Sequence, residues 1–248
     1  QSLYWIEKYI NGVFHAEQLV DAGVFSAEEF ATFEAAQNFL RAVRCHLHLI
    51  ANRAMDQLTF ELQVEVALAM GYRDRGGRRA VEHFMQAYFR HATKVGELTR
   101  IFLTALEAAQ VKKEPVLLRV LRRKPNLKPG FCVLQNRLAI ADPEAFLKDK
   151  MNLLRVFEEA MRTGLLIHPD AMRLLSANLH LIDGAMRKSD EAIRIFNDIL
   201  LKHGNPERGL RRMNELGILA AFIPEFEPIV AMMQFNMYHS YTVDEHTI

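Results

Sequence analysis

The sequence predicts an all-α protein, a multi-helix bundle in two lobes, with one small β-hairpin near residues 131–140. Three observations support this fold class. Glycine and proline number only 12 and 8 among 248 residues, so few residues interrupt regular structure. Apolar residues recur at helical spacing over long stretches. Several of these stretches begin with a capping residue and end at a glycine, as helices do.

The first half of the chain carries three predicted helices. Ser26 and Glu29 form a capping box, in which the hydroxyl and the carboxylate accept hydrogen bonds from free backbone N–H groups. Gly71 occupies the left-handed position that ends the second helix. An apolar stripe from Val81 to Leu106 marks the third helix. The three helices span about 27–52, 60–70 and 78–109.

A basic, proline-containing segment separates the two predicted lobes. Residues 111–130 are rich in Lys and Arg, which together with the prolines indicates an extended linker or a short helix with a loop. The stretch 131–140 then resembles a β-hairpin whose three-residue turn is Gln135-Asn-Arg.

Capping residues followed by proline begin most helices of the second half. Asp142-Pro143, His168-Pro169 and Asn205-Pro206 each place a cap before a proline at the first helical position, and Ser189 caps a further helix. The expected helices run from Pro143 to Gly164, from Pro169 to about Ile182, from Ser189 to Gly204 and from Pro206 to Gly217.

Composition excludes several classes of protein. Hydrophobic residues make up 50% and charged residues 25%, which is typical of a soluble globular protein and not of a disordered chain. The formal net charge of +1 gives no general attraction to nucleic acid or to an anionic membrane. The longest apolar stretch, 216–223, is much shorter than the roughly 20 residues that span a membrane. Cys45 and Cys132 form no CxxC pair, which predicts unpaired, mostly buried thiols and a cytoplasmic protein.

An arginine-rich loop is the first candidate site. The run Arg73-Asp-Arg-Gly-Gly-Arg-Arg79 precedes a predicted helix N-terminus, and free N–H groups and guanidinium groups both suit phosphate. We therefore expect Arg75, Arg78 and Arg79 to contact a phosphate or an acidic partner. The alternative is a solvated loop between two antiparallel helices, since no Walker-type or Rossmann-type glycine motif accompanies the arginines.

Two other polar clusters have structural interpretations. The basic segment 122–128 lacks aromatic residues for base stacking, so a solvated linker is favoured over a nucleic-acid surface. His46 and His48 lie two positions apart in a helix and therefore on different faces. That spacing indicates a packed or surface pair of histidines and not a metal site.

The C-terminal run 238–247 concentrates residue types that bind metals. His239 and His246 are seven positions apart and share a face if both lie on one helix, and acidic residues precede His246. The spacing alone is weak evidence for a metal site, because a stable site needs three or more converging ligands.

Several stretches of the chain also match one family. They are Leu210-Arg-Arg-Met-Asn-Glu-Leu-Gly-Ile-Leu, Phe222-Ile-Pro-Glu-Phe-Glu and residues 232–247, with Arg44-Cys-His-Leu-His-Leu, Asp56-Gln-Leu-Thr-Phe, Gly71-Tyr-Arg-Asp and Val95-Gly-Glu-Leu-Thr-Arg upstream. Taken together they resemble the bifunctional PII uridylyltransferase/uridylyl-removing enzymes of bacterial nitrogen signalling. In that family a nucleotidyltransferase is followed by a helical region, an HD phosphohydrolase domain and two ACT domains.

The resemblance implies an activity for the parent protein. It would transfer a uridylyl group from UTP to a tyrosine of the PII protein when glutamine is low and remove that group when glutamine is high. Magnesium or another divalent metal would serve both reactions. UTP and glutamine would bind through other domains of the parent, and His246 corresponds to the first metal ligand of the HD site.

Departures from the family motifs predict what this chain lacks. It contains no Gly-Ser dipeptide and no Asp-x-Asp pair, which the transferase needs, and no His-Asp dipeptide, which the hydrolase needs. We therefore expect the chain alone to be catalytically inactive and to bind no metal. We also expect residues 238–248 to be poorly fixed or packed in a non-native way.

The resemblance also suggests a division into segments. These are a helical bundle after the transferase core (1–110), a linker with the hairpin (111–141), a second helical lobe (142–237) and the start of the HD domain (238–248). The alternatives are a non-enzymatic helical interaction module and the related region of glutamine-synthetase adenylyltransferase. The latter lacks an HD domain, so the ending Thr242-Val-Asp-Glu-His-Thr argues against it.

Overall fold

The computed structural model describes residues 18–21, 25–110, 126–235 and 242–248, and these are mainly α-helical with a two-stranded antiparallel sheet. The predicted fold class is confirmed. The helices are α1 (Gln18–Asp21), α2 (Ala27–Ala51), α3 (Phe60–Ala69), α4 (Ala80–Gln110), α5 (Pro143–Leu147), α6 (Asn152–Thr163), α7 (Pro169–Ala177), α8 (Gly184–Arg187), α9 (Asp190–Leu201), α10 (Pro206–Glu215), α11 (Ile218–Phe222) and α12 (Val243–Thr247). The strands are β1 (Phe131–Leu134) and β2 (Arg137–Ile140), and short 3-10 helices cover Leu179–Leu181 and Pro224–Ile229.

The chain divides into two compact units. Unit 1 comprises Gln1–Leu103 and Ala231–Val243, and unit 2 comprises Thr104–Val230 and Asp244–Ile248. The segment boundaries expected from the sequence stay predictions. Within the described ranges, none of the helices combines the length and the apolar character that a membrane crossing requires.

Unit 1 is built on the long helices α2, α3 and α4. The capping box is present, because Glu29 N–H donates to Ser26 Oγ (3.1 Å) and Ser26 N–H donates to Glu29 Oε2 (2.8 Å). Gly71 follows α3 with a φ of +87°, a conformation that favours glycine. A core cluster of this unit contains the buried residues Val43, Leu47, Val66, Ala67, Val81, Phe84, Met85 and Met233.

Unit 2 packs α6, α9 and α10 around a larger apolar core. Its fully buried members include Leu154, Phe157, Leu175, Ile195 and Met213. The hairpin is attached to this core through Leu138, whose N–H donates to Leu166 O (2.8 Å) and whose carbonyl accepts from His168 N–H (2.7 Å).

The hairpin turn is shorter than the sequence pattern indicated. Arg137 belongs to β2 and pairs with Leu134, so the turn contains only Gln135 and Asn136. The predicted three-residue turn is therefore wrong. Gln135 and Asn136 have φ values of 49° and 63°, and positive φ at both positions gives a two-residue turn whose twist matches that of the strands.

The single helix expected from Pro143 to Gly164 is wrong, because the structure has two helices, α5 and α6, with a break between them. Polar side chains stabilise the break. Asp149 Oδ1 accepts a hydrogen bond from Met151 N–H (3.0 Å), and Asn152 Nδ2 donates to the carbonyl of Phe146 (2.9 Å). These bonds satisfy backbone groups that a continuous helix would have used.

Two smaller expectations also differ from the structure. The helix that begins at Pro169 ends at Ala177, because Asn178 Nδ2 bonds back to the carbonyl of Leu174 (2.8 Å) and a 3-10 helix follows. Cys45 is exposed and Cys132 is half-buried, so the expectation of mostly buried thiols is wrong, although both thiols are free.

His168 begins α7 with its own imidazole ring as the cap. The ring is 6% exposed. Its Nδ1 accepts a hydrogen bond from Asp170 N–H (3.2 Å), and its Nε2 lies 3.1 Å from Gln135 Oε1. Because Nδ1 must carry a lone pair to accept, the cap requires the neutral ring with its proton on Nε2. Burial lowers the pKa of His168, Asp170 opposes this shift, and Arg137 adds to it.

Because the cap requires the neutral His168 ring, we expect the protein to lose stability in mild acid. The folded-state pKa of His168 lies below the unfolded value of about 6.5, so the unfolded chain binds the proton more readily. The contribution of His168 to the free energy of unfolding is fully present above the unfolded-state pKa. It is lost as pH falls through the folded-state pKa. Urea unfolding between pH 7.5 and pH 5 should show this decline. His168→Asn, which keeps a cap without a titrating ring, should reduce the decline. His180→Asn, at an exposed histidine, is the control. An equal loss of stability in acid for the unmodified protein and both variants would contradict the role of His168.

Candidate functional site

The arginine loop of unit 1 is a fixed turn. Arg75 and Arg78 exchange two backbone hydrogen bonds, with N–H to O distances of 3.0 and 3.1 Å. Gly76 and Gly77 between them have φ values of +59° and +75°, which favour glycine. His83 Nε2 lies 3.1 Å from the carbonyl of Arg75 and so links the turn to the first turn of α4.

The N-terminus of α4 is already capped by carboxylates. Ala80 N–H donates to Asp74 Oδ1 (2.7 Å), and Arg79 N–H donates to Glu82 Oε2 (2.9 Å). These N–H groups are the ones that would otherwise attract an anion. A phosphate at this loop would therefore be bound by guanidinium groups and not by the helix end.

The three arginines of the loop differ in accessibility. Arg75 and Arg79 are exposed, whereas Arg78 is half-buried. Arg78 Nη2 donates to Gln86 Oε1 (3.1 Å), and its buried Nε has no hydrogen-bond partner in the described structure. Arg78 thus lies against the protein, and Arg75 and Arg79 are the groups a ligand could reach. The assignment of all three to a phosphate stays a prediction.

A second polar cluster in unit 1 was not identified as a site from the sequence. Arg44 of α2 forms a two-point ion pair with Asp56, with Nε–Oδ1 and Nη2–Oδ2 distances of 2.9 and 3.3 Å. His48 Nε2 lies 3.4 Å from the same Oδ1. The spacing of Arg44 and His48, four positions apart and so on one helix face, was the available signal.

The electrostatics of this cluster favour an ionised Asp56. The hydrogen bond from His48, together with the Arg44 guanidinium, lowers the pKa of Asp56 below its usual value. The side chains of Arg44 and Asp56 are 57% and 70% exposed, so solvent weakens the pair and an incoming anion could compete for Arg44. The cluster is a surface feature, in agreement with the structural interpretation of His48.

The C-terminal residues are better fixed than the sequence indicated. Residues 243–247 form α12, and Asp244 is only 4% exposed. Asn214 Nδ2 donates to Asp244 Oδ2 (2.9 Å), and Ile248 packs against the core of unit 2. The described residues 242–248 are thus ordered against unit 2, unlike a poorly fixed segment, and the alternative expectation of non-native packing stays a prediction. His246 is exposed on α12, and His239 lies outside the described residues.

The two acidic residues that precede His246 already have side-chain partners in unit 2. Asp244 is bonded to Asn214, and Glu245 is paired with Arg211. Over the ranges that the structure describes, there is no group of three His, Cys, Asp or Glu side chains placed to hold a metal ion.

A cleft of about 290 Å³ lies in unit 2 beside α6 and α10. This volume is at the lower limit for small-molecule sites. Its charged groups already have partners: Arg208 Nη2 donates to the carbonyl of Gly164 (3.2 Å), and Arg211 pairs with Glu207 (2.8 Å). The lining residues are Phe157, Ala160, Met161, Leu165, Leu166, Ile167, Asn205, Glu207, Arg208, Gly209, Arg211, Arg212 and Glu215.

Comparison with known proteins gives consistent matches. The family model "GlnD PII-uridylyltransferase" matches residues 1–103, and "Uridylyltransferase GlnD third domain" matches residues 131–222. Three curated relatives that match are named bifunctional uridylyltransferase/uridylyl-removing enzyme. Those of Ruegeria pomeroyi and Cereibacter sphaeroides are 68% and 65% identical to this chain over its 248 residues, and that of Novosphingobium aromaticivorans is 45% identical over 247. The chain spans 27% of the length of each relative. No solved structure matches the chain.

Proposed function

Because the chain belongs to the PII-uridylyltransferase family, we propose that it is the central helical segment of a bifunctional enzyme. That enzyme attaches uridylyl groups to the PII signalling protein and removes them in response to glutamine. The observation that carries this proposal is the 68% identity, over the whole chain, to a relative named for both activities. The matching relatives and the family model over residues 1–103 are named uridylyltransferases, which argues against the adenylyltransferase alternative.

In this proposal the segment supports chemistry that other parts of the enzyme carry out. Magnesium or another divalent metal acts in the whole enzyme and is not held by this segment alone, which lacks both complete active sites. UTP and glutamine bind through other domains, and the enzyme works in the cytoplasm without nucleic-acid or membrane partners. The segment links the transferase to the hydrolase and helps to present PII.

Unit 1 is the part that we assign to the transferase side. Arg75 and Arg79 extend into solvent from a turn that the glycines and the Asp74 cap hold in place. Two exposed guanidinium groups on a fixed turn suit a phosphate oxygen or an acidic patch on PII. Arg78 supports the turn from its half-buried position and adds to the local positive charge.

Charge reversal of the loop tests this role in the whole enzyme. Arg75→Glu with Arg79→Glu should lower kcat/KM for UTP or for PII about tenfold, because like charges then repel the anion. Adding Arg78→Glu should lower it further. The matched control is Arg41→Glu with Arg53→Glu, two exposed arginines elsewhere in unit 1. If kcat/KM is unchanged in the triple variant, the arginine loop contacts neither UTP nor PII and is a solvated connection between two helices.

The broader proposal is tested by assaying the whole protein. It should transfer labelled uridylyl from UTP to PII, and glutamine should shift the balance towards removal of the group. A protein that is folded but performs neither reaction would overturn the proposal and favour a helical interaction module.

A further inference from the structure

Two side-chain contacts attach α12 to α10 within unit 2. Asn214 Nδ2 donates a hydrogen bond to Asp244 Oδ2 (2.9 Å). Arg211 pairs with Glu245 and, on its own helix, with Glu207. Consecutive acidic residues at the start of α12 are thus both held by side chains of α10.

The contact at Asp244 is the stronger constraint because it is buried. Asp244 is 4% exposed, and its Oδ1 has no hydrogen-bond partner in the described structure. Among the described residues, the Asn214 amide is a side-chain donor that compensates the buried carboxylate. Loss of such a donor leaves a charged group desolvated without compensation, which is strongly unfavourable.

The geometry of α12 makes its orientation depend on these contacts. A helix of five residues is too short to be stable alone in water. Asp244 and Ile248 are four positions apart and face unit 2, whereas His246 lies between them on the exposed side. Fixing the inner face of α12 therefore fixes the direction in which the His246 imidazole projects.

We propose that Asn214 and Arg211 are positioning residues for uridylyl removal, because they hold the helix that presents His246. This inference rests on the proposed function and on the family resemblance, which makes His246 the first metal ligand of the site for uridylyl removal. Neither residue touches the substrate in this role. Both lie in unit 2, whereas the arginine loop assigned to uridylyl transfer lies in unit 1. Their loss should therefore affect removal and spare transfer.

A donor–acceptor exchange in the whole enzyme tests the role of Asn214. Asn214→Asp places two carboxylates against each other and should lower kcat for uridylyl removal at least tenfold. KM for uridylylated PII should change little, and transfer should stay within twofold. Asp244→Asn added to Asn214→Asp restores an amide–carboxylate pair with the donor reversed and should recover most of the lost rate. Asn197→Asp, the same change at an exposed position of α9, is the matched control.

Hydrogen exchange of the α12 amides gives a second measurement that does not depend on activity. Residues 245–248 should exchange faster in Asn214→Asp and return towards the original rate in the double variant. Normal removal by Asn214→Asp, or no recovery in the double variant despite intact transfer, would overturn the positioning role. Absence of both activities in the unmodified enzyme would instead overturn the proposed function.

Discussion

Replacement of Phe157 by Ala is expected to lower the free energy of unfolding of unit 2 by about 3–5 kcal/mol. Phe157 is 1% exposed and belongs to the central apolar cluster of unit 2. The substitution removes the buried ring and leaves a cavity that the surrounding helices cannot fully close. Both effects lower stability in the same direction, and neither depends on pH.

Urea unfolding followed by circular dichroism measures this loss. Because the chain has two compact units, hydrogen exchange should assign the change to α6 and its neighbours. Leu201→Ala is the matched control, since that side chain is 81% exposed and its truncation should change stability by no more than about 0.5 kcal/mol. Equal effects of the two truncations would contradict the central position of Phe157.

Replacement of Arg162 by Leu is expected to destabilise unit 2 by about 3 kcal/mol, because it leaves the buried Glu159 carboxylate without its main partner. Glu159 is 0% exposed. Arg162 donates to its oxygens at 2.9 and 2.6 Å, and Lys128 N–H donates at 3.0 Å. Burial alone would raise the pKa of Glu159, but Arg162 and the Lys128 N–H lower it below its usual value.

The sign of the pH effect distinguishes this cause from lost packing. In the unmodified chain the lowered pKa of Glu159 stabilises the fold above the unfolded pKa, and this contribution is lost as pH falls through the folded value. In Arg162→Leu, protonation of the unpartnered carboxylate should instead offset part of the destabilisation in acid. Glu159→Gln added to Arg162→Leu should recover part of the loss at neutral pH. If the double variant is as unstable as the single one, packing and not charge explains the effect.

The sequence alone determined the elements whose signals are local. The capping box at Ser26 and Glu29, the proline after Asp142 and the glycine at 71 each act within a few residues, and the structure has helix boundaries at all three. The hairpin at 131–140 was also predictable, apart from the length of its turn. Hydrogen bonds and backbone conformation within a few residues contribute directly to these features, so the local sequence predicts them.

Only the tertiary structure decided the features that depend on distant partners. Arg44 meets Asp56 twelve positions away, Glu159 meets Lys128, and Asp244 meets Asn214 thirty positions away. The arginines of the 73–79 loop were predictable from the sequence, whereas the carboxylates that accept hydrogen bonds at the start of the adjoining helix were not. Periodicity shows which face of a helix is buried, but not which polar group on another helix will lie opposite it. Packing fixes those pairs, and a buried charge is tolerated only where packing brings it a donor.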